Sequence, residues 1–278
     1  VPRLREFNPQ NLADMAWAFA TGGHKAPALL DAIAAAAMPR LRDFNPQEIA
    51  NTTWAFATAG HKAPALFDAI ATAAVPRLRD FNPQNLANTA WAFATAGRAA
   101  PALLDAIATE AVRSGLRDFQ PQNLANMAWA FATAGHKAPA LLDAIATEAA
   151  PRLRELNPQE LANTVWAFAT AGHKAPALLD AIATEAVRSG LRDFQPQNLA
   201  NTAWAFATAG HAAPALLDAI AVAAVPRLRD FNPQDLANTA WAFATAGQKA
   251  PALLDAIATE AAPRLHDFNP QAIANTRV

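Results

Sequence analysis

A single tryptophan recurs down this chain at Trp17, Trp54, Trp91, Trp129, Trp166, Trp204 and Trp241, at intervals of 37, 37, 38, 37, 38 and 37 residues. A fixed period of this length leaves few folds open. It is the mark of a solenoid, in which each supersecondary unit has a face it cannot bury alone and neighbours bury it for one another. The 278 residues are therefore read as one repeat and its variations.

The repeat divides into two helices. In the first copy Asn8 is placed as an N-cap, with Pro9 at the first helical position, where a missing N–H costs nothing. Phe7 and Leu12 have the spacing of a hydrophobic staple, repeated by Phe44 with Ile49 and Phe81 with Leu86. Glu48 and Glu160 bring an acid to the first turn, which suits the helix dipole. This helix A is expected to run about 13 residues and to end at Gly23, Gly60, Gly97 and their equivalents, in a left-handed C-cap. Helix B opens at Pro27, Pro64, Pro101, Pro139, Pro176, Pro214 and Pro251. Its end is placed at Pro39 or Pro76, with the Arg-Leu-Arg-Asp-Phe segment a short turn; a longer helix kinked at Pro is the alternative. Two copies instead read Val112-Arg113-Ser114-Gly115-Leu116 and Val187-Arg188-Ser189-Gly190-Leu191, one residue longer, which accounts for both 38-residue intervals. The same two copies begin helix A with Gln120 and Gln195, caps weaker than Asn by roughly 1 kcal/mol.

The expected fold is all-α: a right-handed α-solenoid superhelix of about seven two-helix repeats of 37–38 residues, helices A concave and helices B convex. One array fills residues 1–278, with helix pairs at about 8–38, 45–75, 82–113, 120–150, 157–188, 195–225 and 232–262 and half-repeats at both ends. Ends without polar capping repeats are expected to fray or to associate head to tail.

Composition narrows the function. With 22 basic and 23 acidic residues the net charge is -1, so no basic excess announces a nucleic-acid binder, although a solenoid can segregate charge onto two faces. There is no Cys, hence no disulfide framework or thiolate metal site. No apolar run approaches the roughly 20 residues of a membrane span. No Ser-His-Asp order, Gly-rich phosphate loop or isolated carboxylate pair is present, so neither catalysis nor a cofactor is expected. His residues one repeat apart are too distant to share a metal ion.

On a helical wheel Leu86, Thr89, Ala90, Phe93 and Ala94 form the core stripe of helix A, while Gln84, Asn88, Trp91 and Thr95 gather on the opposite side. Such a ladder of amides and indoles suits a single nucleic-acid strand: indoles stack on bases and amides bond base edges. The competing expectation is that Trp fills the gap between repeats and Asn serves backbone groups. Gln47, Asn51, Gln84 and Asn88 represent the ladder. The third helical position varies, as Asn11, Glu48, Asn85, Asn123, Glu160, Asn198 and Asp235, and is the candidate for specificity. After the loop glycine come His24, His61, Arg98, His136, His173, His211 and Gln248, expected beside a helix C-terminus, followed by Lys at Lys62, Lys137 and Lys174, placed to meet phosphates. Arg77 and Arg79 are expected as solvated partners of Asp80.

The run Pro83-Gln84-Asn85-Leu86-Ala87-Asn88-Thr89-Ala90-Trp91-Ala92-Phe93-Ala94-Thr95-Ala96-Gly97, followed by Ala-Pro-Ala-Leu-Leu-Asp-Ala-Ile, resembles the octotricopeptide repeat over essentially the whole chain. The start of helix B, Lys137-Ala138-Pro139-Ala140-Leu141-Leu142, departs from that family's Pro-rich stretch. The resemblance implies helical hairpins, single-stranded RNA as partner and an organelle as location. A scaffold for protein partners, or a self-assembling array, is the rival reading.

Overall fold

The asparagine caps form as the sequence dictates. In the computed structural model, which describes residue 4 and residues 6–268, Asn8 Oδ1 accepts from Asn11 N at 2.8 Å and Asn82 Oδ1 from Asn85 N at 2.8 Å. Asn45 and Glu48 satisfy each other reciprocally, Glu48 N donating to Asn45 Oδ1 at 2.9 Å and Asn45 N to Glu48 Oε2 at 2.7 Å. Asn157 and Glu160 do the same at 2.9 and 2.9 Å. The Gln120 side chain makes no cap bond. At the other end Gly97, with φ of 61°, carries the chain out of the helix. Gly97 N donates to Ala94 O and Arg98 N to Phe93 O, the paired bonds of a Schellman ending. An L side chain at that φ would be strained.

Fourteen α-helices lie among the described residues, with no strand. Helices A are α1 (Pro9–Thr21), α3 (Pro46–Thr58), α5 (Pro83–Thr95), α7 (Pro121–Thr133), α9 (Pro158–Thr170), α11 (Pro196–Thr208) and α13 (Pro233–Thr245). Helices B are α2 (Pro27–Ala37), α4 (Pro64–Ala74), α6 (Pro101–Ser114), α8 (Pro139–Ala149), α10 (Pro176–Ser189), α12 (Pro214–Ala224) and α14 (Pro251–Ala261). The half-copy at 273–278 lies outside the described residues, as do Val1–Arg3 and Arg5.

The chain forms two compact units, Val1–Ile145 and Ala146–Val278. In the first, α1 packs on α3, α3 on α5 and α5 on α7; in the second, α9 packs on α11 and α11 on α13. Each unit is thus an α-solenoid of consecutively stacked hairpins. The core is the expected stripe: Leu86, Ala90 and Phe93 are buried, as are Leu199, Ala203 and Phe206. Phe67 and Phe93 meet edge to face at 5.1 Å, joining one repeat's helix B to the next repeat's helix A.

Helix B neither stops cleanly nor kinks. The α-helix ends at Ala74 and tightens into a 3-10 turn, Val75–Asp80, with Pro76 near its start, where a ring lacking N–H is tolerated. The same turn recurs at Met38–Arg40, Ala150–Glu155, Val225–Asp230 and Ala262–Asp267. Its Leu78 and the following Phe81 are buried, and the turn packs on the next repeat's α6, filling the space between successive B helices. In the longer copies α6 and α10 keep their helix to Ser114 and Ser189, and Gly115 or Gly190 breaks it. Leu191 follows with φ of 55°.

The expectation of solvated pairs holds at the equivalent Arg40–Asp43 and Arg152–Glu155, 3.7 and 3.4 Å apart, but is corrected for the main bond of Arg77. Arg77 Nη2 reaches back one repeat and donates to Phe44 O at 2.8 Å. Arg40, Arg227 and Arg264 do likewise to Phe7 O, Phe194 O and Phe231 O at 2.8, 2.6 and 2.9 Å. The physical reason is a carbonyl in front of the Asn-Pro or Gln-Pro start that no helical N–H serves, and a part-buried carbonyl needs a donor. In the longer copies the arginine turns instead to its own helix: Arg113 Nε donates to Glu110 Oε2 at 2.9 Å and Arg188 Nε to Glu185 Oε2 at 2.8 Å. These hydrogen bonds hold the Glu110 and Glu185 carboxyls below the usual glutamate range, against burial, which pushes them up.

Candidate functional site

The outward face of helix A is built from four rows one turn apart. Nearest the N-cap is glutamine: Gln10, Gln47, Gln84, Gln122, Gln159 and Gln197 are exposed and Gln234 is half-buried. Next come Asn51, Asn88, Asn126, Asn163, Asn201 and Asn238, all half-buried, with Asp14 in the first copy. Gln234 Nε2 donates to Asn238 Oδ1 at 2.8 Å, one turn along α13. Then comes tryptophan, and last an exposed threonine, Thr58 and Thr95 among them.

The indoles meet one another. Trp54 stacks on Trp91 with centroids 6.4 Å apart and planes 29° apart, and Trp91 meets Trp129 at 6.3 Å and 32°. In the second unit Trp204 meets Trp241 at 6.5 Å and 33°. These indoles are half-buried, and Trp17, at the first helix of its unit, is 46% exposed. Trp54, Trp91, Trp129, Trp204 and Trp241 thus pack against the indole of a neighbouring repeat while remaining partly open to solvent.

The threonine row ends at a cleft between successive A–B loops. One is lined by Phe56, Gly60, His61, Lys62 and Pro64 of one repeat and Thr95, Gly97 and Arg98 of the next, about 430 Å³. Equivalent clefts occur at His24 and His61, at Arg98 and His136, and at His173 and His211. Lys62, Lys137 and Lys174 are exposed on this edge.

Two sets of varying residues sit inside the scaffold. At the third helical position Asn85, Asn123, Asn198 and Asp235 are buried, while Asn11 is exposed and Glu48 and Glu160 fold back onto their caps. The residue after the loop glycine reaches the preceding repeat's helix B. His61 Nε2 donates to Asp31 Oδ1 at 2.8 Å, His136 to Asp105 at 2.8 Å and His211 to Asp180 at 2.8 Å. Arg98 bonds Asp68 at 2.7 Å and Gln248 bonds Asp218 at 2.7 Å. The His61 ring also lies edge-on to Phe56 at 5.7 Å, the contact that completes a Schellman ending. Sequence reasoning placed these side chains by the helix dipole and missed the bond between repeats. The signal was present: one Asp stands in every Ala- and Leu-rich helix B, where a lone carboxylate needs a reason.

Burial pushes the Asp235 carboxyl up, against the backbone bond from Asn232, which lowers it. A raised carboxyl favours the protonated folded state, so stability from this group is greatest at low pH and falls as pH rises through its folded pKa. Asp235→Asn, which installs the residue found at Asn85 and Asn198, is expected to raise the thermal midpoint at neutral pH. The gain should vanish near about pH 4, the ordinary aspartate range. A midpoint lower than wild type at neutral pH would refute this.

Among the described residues no three His, Asp or Glu side chains gather as a metal cage, and no helix is long and apolar enough to cross a membrane.

Comparison with known families matches the chain to the RNA-editing substrate-binding complex 6 protein, over residues 1–118 and again over 75–277. The chain belongs to that family. The second match starts two repeats after the first, at the same Val-Pro-Arg-Leu-Arg sequence, so the RNA-editing substrate-binding complex 6 pattern itself reads this array in two registers. No match was found among curated proteins.

Proposed function

We propose that this chain is a non-catalytic module that binds single-stranded RNA along the outward face of its A helices. The row of half-buried indoles carries this reading, because aromatic rings beside amides, one set per repeat, are what unpaired bases require. Gln47, Asn51, Gln84 and Asn88 would bond base edges, and Lys62, Lys137 and Lys174 would meet phosphates. Asn11, Glu48, Asn85, Asn123, Glu160, Asn198 and Asp235 would act by fixing the start of each helix. The family name, which couples RNA editing to substrate binding, and the octotricopeptide-like pattern both support the reading.

A second reading, a scaffold for protein partners, has its own observation. Val222 is 77% exposed on α12, where other copies carry Thr72, Thr109 and Thr184, and Val187 and Val225 are exposed on the B side of the same unit. Salt separates the two. Three lysine–phosphate contacts predict a loss of about 20-fold in affinity between about 50 and 200 mM salt, since each contact releases about 0.7 counterion from a single strand. Fluorescence anisotropy of a labelled, randomised RNA pool reads this directly. No binding at the lower salt would end the RNA reading for this chain.

A further inference from the structure

A reader of mixed sequence needs side chains that differ from repeat to repeat and face the strand. In this fold the differing side chains mostly have other work. Asn85, Asn123, Asn198 and Asp235 are buried, and Glu48 and Glu160 bond their own caps. His61, Arg98, His136, His211 and Gln248 hold the aspartate of the preceding repeat. The four outward rows remain. Glutamine, tryptophan and threonine are identical in all seven copies, and asparagine fails only at Asp14. The indole step is also nearly constant, 6.4, 6.3 and 6.5 Å.

Resting on the RNA reading above, we propose that the track takes a repetitive single strand, the same base presented at successive repeats, and holds it in several equivalent registers. Each repeat but the first, which carries Asp14, offers the same amide pair beside the same indole, so each of these favours the same base. A mixed strand satisfies the amides at some repeats and leaves them unmatched at the others. A repetitive strand satisfies all of them, and shifting it by one nucleotide changes nothing within a unit. The strand would therefore slide without losing its contacts.

The test uses the whole chain with labelled RNAs of about 12 nucleotides, within the range that stacking tracks occupy: oligo(A), oligo(C), oligo(U) and a strand without internal repeats. One of the three repetitive strands is expected to bind about tenfold or more tighter than the mixed strand, the equivalent of one well-matched base contact. Within that strand a single foreign base should cost little near either end, where the strand can shift to leave it outside the track, and most near the middle, which most registers include. The mixed strand binding as tightly as the best repetitive one, with the salt response intact, would overturn this inference and leave the RNA reading standing. A penalty confined to particular positions with no symmetry about the middle, the sign of one fixed register, would overturn it as well. Binding to none of the four strands at low salt would remove both.

Discussion

Phe93→Ala is expected to cost about 3–5 kcal/mol, the usual range for emptying a fully enclosed aromatic site. Phe93 is 1% exposed, meets Phe67 edge to face at 5.1 Å, and gives its carbonyl to the Arg98 N–H that closes the helix. One substitution thus opens a cavity between α4 and α5 and loosens the loop that follows. Solenoid stability is close to a sum of repeat and interface contributions, so the damage should stay local. Amide exchange should quicken across α4, α5 and α6 while α11 and α13 keep their protection. A loss under about 1 kcal/mol, or exchange quickened equally everywhere, would show that this stripe is not the core described here.

Trp91→Ala is expected to weaken RNA binding by about 10- to 100-fold, from a base–aromatic stack worth about 1–3 kcal/mol. Trp91 is the middle ring of the first unit's stack and touches both Trp54 and Trp129. Its removal also forfeits two ring pairs, so the fold must be watched: the thermal midpoint should drop by a few degrees only, since each pair contributes about 0.5–1.5 kcal/mol. Trp91→Phe keeps a ring and should recover most of the binding. Unchanged affinity in Trp91→Ala, with the helices intact by circular dichroism, would move the binding face away from the indoles.

The parts of this fold visible in the sequence are those decided within one helix. The Asn-Pro start, the Phe93 stripe and the Gly97 ending depend on neighbours three to six residues away, and each stands where the spacing places it. The end of helix B was less visible, because Val-Pro-Arg-Leu-Arg suits a kink, a turn or a tighter helix equally. What decides for the 3-10 turn is the gap it fills against the next repeat. Arg77 and His61 were misjudged for the same reason. Their partners, Phe44 O and Asp31, lie 33 and 30 residues back, where no local window reaches. In the outward face the sequence showed which residues share a side of the helix. It did not show that the indoles touch each other, or that the variable third position is turned inward or tied to its cap.

The bond from each loop to the preceding helix B has a consequence for how such a chain can change. His61 holds Asp31 as His136 holds Asp105, and Arg98 and Gln248 serve in the same place. Each of these junctions is closed by interchangeable parts. A crossover between misaligned copies of the coding sequence would delete or add one whole period and still join a compatible loop to a compatible aspartate. No interface would need redesign, and the one-residue difference of the longer copies would be absorbed in its own loop. The number of repeats is then free to drift by recombination while the fold stays fixed.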